Sequence, residues 1–123
     1  SEVGIKSAMY CIAFEGLFST IVDGATKCVA RRGSRFLETD DAACRATYRC
    51  LHRLYEYRSR VVHGSGISEK RETKLRDTTV AADEHLRRAF RMILASPDLI
   101  ELFSTDDKHR LDAYFNDEFS KAT

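Results

Sequence analysis

Proline occurs once and glycine six times among the 123 residues of this chain, which limits how often the backbone can reverse. A sandwich or barrel of short strands needs a turn about every 8–12 residues, and the turn formers for that are missing. Long helices joined by short links remain. Hydrophobic residues make up 43% and charged residues 32%, a balance that supports a folded core rather than a disordered chain. The length suits one domain. The expected fold class is all-α: an up-and-down helical bundle of four main helices plus short C-terminal helices.

The apolar spacing places the helices. The first is expected from about Val3 to Val22, with Ile5, Met9, Ile12, Ala13, Gly16 and Leu17 at helical intervals. Tyr10, Phe14, Phe18 and Ile21 add a second apolar strip, so this helix reads as central. The second is expected over about Asp23–Leu37, with Gly33 a weak point or early stop and Arg31, Arg32 and Arg35 a solvated end. The third starts near Asp40, capped by Thr39 or Asp40, and runs to about His63, where Gly64 stops it and Gly66 keeps the chain loose. The polar, charged stretch Ser65–Thr73 reads as a loop. A fourth helix follows over about Lys74–Ala95, with Leu75, Ala82, Leu86, Ala89, Phe90, Ile93 and Leu94 as its apolar face. Ser96-Pro97 opens a fifth helix, and Thr105-Asp106-Asp107 caps a last one.

Bulk charge excludes little and points nowhere. The net charge of +1 gives no global field for nucleic acid or membrane, so any attraction for phosphate must come from local arginine density. The apolar stretches fall short of the ~20 residues that span a bilayer. Cys11, Cys28, Cys44 and Cys50 form no C-x-x-C pair and read as buried reduced thiols of a cytoplasmic protein. Neither a metal nor a cofactor is expected.

Helix three holds the residues most able to carry chemistry. Cys44, Thr47, Tyr48, Leu51, Leu54, Tyr55 and Val62 share a broad face, and Arg58 falls on it too. An arginine cannot lose its proton and must find acceptors. Glu15, the one carboxylate between Ser7 and Val22, is the expected partner. His63 follows five residues later, where a helix C-terminus favours imidazolium and titration near neutral pH. Five residues turn two side chains about 140° apart on an ideal helix. A distorted helix end or a second subunit must therefore bring the two groups together. An arginine to hold phosphate and a histidine to move protons are a sufficient minimum for RNA cleavage without a metal. The plain alternative is an arginine ion pair beside a capping histidine.

The run Leu54-Tyr55-Glu56-Tyr57-Arg58-Ser59-Arg60-Val61-Val62-His63-Gly64 resembles the signature of HEPN domains, and most closely the Apea-like group. Ala13-Phe14-Glu15-Gly16-Leu17-Phe18 resembles the first helix of that family, and Lys27-Cys28-Val29-Ala30-Arg31-Arg32 its second. The resemblance spans about residues 8 to 95 and implies that residues 1–123 are a single HEPN-like helical domain, compatible with a place in a longer chain. It implies a homodimer in which two R-x4–6-H segments face each other, and a metal-independent endoribonuclease of toxin or phage-defence type. Arg58 and His63 would be the catalytic pair, with Glu15 at the acidic helix-one position and Ser59 and Arg60 beside the substrate. RNA would be the substrate, and an antitoxin or other domains of the parent chain the further partners. Some HEPN toxins carry a tyrosine two residues after the histidine, a target for nucleotide transfer. Ser65 stands there in this chain, so that mode of regulation is not expected. The family also contains non-catalytic modules that dimerise or bind nucleotide or RNA, which is the alternative reading.

Other polar residues rank lower. Arg45, Arg49, His52, Arg53 and Arg60 recur along helix three. The plain reading is a solvated face, and the alternative a phosphate-tracking strip beside the site. His85 and His109 read as exposed and without function, Arg31-Arg32 and Arg87-Arg88 as surface charge, and Tyr55 and Tyr57 as core or interface.

Overall fold

The computed structural model describes residues 2–62, 68–117 and 119, with side chains described for all of these except 59–62. His63, Gly64, Ser65 and Gly66 lie outside the described residues. Among the described residues there are six helices: α1 (Glu2–Phe18), α2 (Ala25–Leu37), α3 (Asp41–Val62), α4 (Glu69–Leu94), α5 (Pro97–Ser104) and α6 (Lys108–Phe115). They form the expected all-α, up-and-down bundle, with α1 to α4 as its body and the two short helices at its C-terminal end. The core gathers Cys11, Phe14 and Phe18 of α1, Val29, Ala30 and Leu37 of α2, Leu51, Leu54 and Tyr55 of α3, and Ala82 and Ala89 of α4. No described helix is long and apolar enough to cross a membrane.

Helix α1 has two apolar sides, and only one is used. Ser7, Cys11, Phe14 and Phe18 face the core, while Ile5, Met9 and Ile12 stay more than 60% exposed on the opposite side. The helix also stops at Phe18 rather than Val22. Thr20 leaves the helix because its hydroxyl joins a buried polar cluster, and Gly24 then takes a left-handed conformation (φ 73°) to start α2 at Ala25.

That buried cluster corrects the view of the α2 arginines as a solvated end. Arg32 is fully buried. Its Nε and Nη2 donate to Asp117 Oδ2 and Oδ1 at 2.9 and 3.0 Å, and Nη2 also donates to Asp112 Oδ1 at 3.0 Å. Nη1 donates to Phe18 O at 3.2 Å and Thr20 Oγ1 at 3.1 Å. Five hydrogen bonds match the five donors of a guanidinium, so the charge is compensated by two carboxylates from the C-terminal region. Burial opposes the charged form, but the bonds to Asp117 and Asp112 outweigh it and raise the Arg32 pKa. The ring of Phe115 lies 5.2 Å from the guanidinium carbon. Spacing along one helix carried no sign of this partner, which stands some 80 positions away.

Gly33 neither breaks nor ends α2. A β-carbon there would come within 2.9 Å of Leu51 Cδ1 and 3.5 Å of Phe18, so the glycine permits the close approach of α2 to α3. The stretch expected as a loop before Lys74 is helical from Glu69. The Ser68 side chain accepts from the Arg71 N–H at 3.3 Å, and Glu69 and Glu72 place negative charge in the first turn. Polarity there marks an exposed helix start. Leu75, Ala82, Ala89 and Ile93 are buried as expected, whereas Phe90 and Leu94 are exposed.

Candidate functional site

Helix α3 packs on α1 near its C-terminal half. The Tyr55 hydroxyl, buried in the core, donates to the Cys11 carbonyl at 3.1 Å and pins the two helices together. Burial raises the pKa of Tyr55 and pushes the Cys11 thiol up to about 12, so both are neutral packing groups and not nucleophiles. One turn beyond that contact, Arg58 Nη1 donates to Glu15 Oε1 at 2.9 Å. The expected ion pair therefore forms.

The exposure of that pair decides what it can do. Arg58 and Glu15 side chains are each about one third exposed, 33% and 34%. A sealed structural pair would be shut away from solvent, as Arg32 is. Arg58 instead sits at the surface edge of the α1/α3 seam, with the Tyr55 ring 6.0 Å from its guanidinium carbon. Among the described residues no hydrogen bond engages its Nε or Nη2. A carboxylate on one side and an aromatic ring below hold the fork in place, and two nitrogens remain to meet a phosphate.

Of the five site residues expected from the sequence, Arg58 and Glu15 are brought together. Ser59 and Arg60 lie in the last turn and a half of α3, with side chains outside the described residues. His63 lies outside the described residues altogether. Burial is less simple for the thiols than expected: Cys11 and Cys28 are buried, Cys44 and Cys50 only half so. His85, expected to be exposed, is half-buried with Arg88 at 3.1 Å. Desolvation first and the Arg88 charge second lower its pKa. Arg88 is not loose surface charge, since it pairs with Glu38 and ties α4 to the end of α2. His109 is exposed, as expected.

A second basic feature escaped the sequence reading in part. Arg31 and Arg35 of α2 line the same groove as Arg45 and Arg49 of α3. The visible signal was that each helix repeats arginine every fourth residue, and its meaning depended on the two helices being neighbours. Comparison with protein-family models, with curated proteins and with solved structures gave no match to this chain.

Proposed function

We propose that this chain is a metal-independent endoribonuclease of the HEPN type, acting as a homodimer in a toxin or phage-defence setting. The observation that carries the reading is the half-open Arg58–Glu15 pair, 2.9 Å long and one third exposed, set on the helix that runs into the R-S-R-V-V-H segment. Arg58 holds the non-bridging oxygens of the scissile phosphate, and Glu15 fixes the direction of the fork. His63 takes the 2′-hydroxyl proton. O2′ then bonds to phosphorus, the P–O5′ bond breaks, and a histidine returns a proton to the leaving O5′. The products are a 2′,3′-cyclic phosphate and a 5′-hydroxyl. Ser59 and Arg60 flank the phosphate.

The exposed side of α1 supports the dimer. Ile5, Met9 and Ile12 form one apolar line on the face opposite the core, and association of two chains would remove it from water. Glu15 lies one turn beyond Ile12 on the same helix, so a partner seated there would approach the pair and supply a second histidine. The test is incubation of the purified protein with mixed RNAs in the presence of a chelator, with the product ends mapped. Cyclic phosphate ends that disappear in Arg58→Ala are expected. Cleavage that survives Arg58→Ala excludes this site, and RNA binding without any cleavage favours a non-catalytic module.

A further inference from the structure

Among the pairs between described residues, Arg32, Arg58, Arg87, Arg88, Arg91 and Arg110 each hold a carboxylate. Arg35, Arg45, Arg49 and Arg53 hold none among the described residues, and they are exposed. They gather along one line of the α2/α3 surface. A groove of about 350 Å³ is lined by Arg31 and Arg35 from α2 and by Arg45, Tyr48 and Arg49 from α3. Tyr48 and Arg49 also line a second groove of about 270 Å³, which continues along α3 past His52 and Arg53 to Glu56. The single carboxylate lining the two is Glu56, and it is engaged by His52 Nδ1 at 3.0 Å. The Tyr48 and His52 rings are stacked 6.0 Å apart.

Such crowding of like charge costs energy unless an anion answers it. Arg45, Arg49 and Arg53 recur every four residues, about 6 Å along the helix axis, as a row of point contacts for successive phosphates. The aromatic pair between them offers a face to an unpaired base. The first groove lies between α2 and α3 and the second runs along α3 alone. The ring pair, which an unpaired base can stack on and a paired base cannot, favours one strand over a duplex. Position 60 comes seven after Arg53, two turns further on the same line of α3, so the row leads toward the R-x4-H segment.

We propose that the α2/α3 groove binds the backbone of single-stranded RNA and feeds it toward the end of α3. The inference rests on the ribonuclease reading for the identity of the strand. It replaces the plain view of these arginines as a solvated face.

The experiment measures binding of a fluorescent single-stranded RNA by anisotropy across a range of salt, using the Arg58→Ala protein so that the strand survives. Arg45→Gln, Arg49→Gln and Arg53→Gln are combined in that background. The expected result is weaker binding, with the slope of log affinity against log salt reduced by about 2 for three lost phosphate contacts. A control that removes Lys70, Lys74 and Arg76, all exposed on α4, leaves the slope unchanged. Circular dichroism establishes that each variant is folded. An unchanged slope in the groove variant overturns the proposal, as does duplex RNA competing better than single strand. The two readings fail separately. Loss of cleavage in Arg58→Ala with intact binding in the groove variant removes only the groove. Cleavage that survives Arg58→Ala, with binding still lost in the groove variant, removes only the assigned site.

Discussion

Arg32 and Arg58 each hold a carboxylate, and exposure separates their roles. Arg32 is sealed in with Asp112 and Asp117, so removing it strands buried carboxylates. Arg32→Met is expected to cost about 3–5 kcal/mol, read as a drop in the denaturant midpoint. The same cluster sets an acid limit. Burial tends to raise the Asp117 pKa, but the hydrogen bond and charge of Arg32 hold it below its ordinary 3.8. A depressed carboxylate stabilises the fold above its unfolded pKa and loses that contribution as pH falls through the folded value. Melting temperature is therefore expected to fall below about pH 4, and to fall less steeply in Asp117→Asn. Arg58 and Glu15 are different. A pair this open contributes only about 0–1 kcal/mol to stability, so substitutions there report on activity and not on folding. Glu15→Gln is expected to leave the melting temperature near wild type while slowing RNA cleavage roughly tenfold to a hundredfold, through lost alignment of the guanidinium.

At the scale of the helices, the periodicity of apolar residues told most of the story. Leu51, Leu54, Tyr55, Leu75, Ala82 and Ala89 were placed in the core by spacing, and they are buried. Spacing also set Arg58 on the same face as Leu54 and so pointed to Glu15. It failed where a residue's role depends on a distant partner. Thr20 and Arg32 belong to one cluster with Asp112 and Asp117, and neither local charge nor helical period encodes that meeting. It failed also at Gly33, where a residue that weakens a helix on its own lets two helices approach. Gly33→Val is expected to lose about 1–3 kcal/mol through overpacking against Leu51 and Phe18. Thermal unfolding followed by circular dichroism measures that loss.

At the scale of the molecule, α1 has apolar residues on opposite sides and the bundle covers only one of them. The line of Ile5, Met9 and Ile12 is what a second copy would bury. Met9→Asp with Ile12→Asp is expected to leave the fold intact, shift sedimentation from dimer to monomer, and reduce cleavage, because in the proposed dimer each phosphate draws on both chains. The most direct test of the assigned chemistry is the single-turnover rate of RNA cleavage in chelator for His63→Ala against the unmodified protein, with both melting temperatures recorded. A fall of roughly a hundredfold or more at an unchanged melting temperature is expected for a histidine that moves the protons. Equal rates in the two proteins would contradict it.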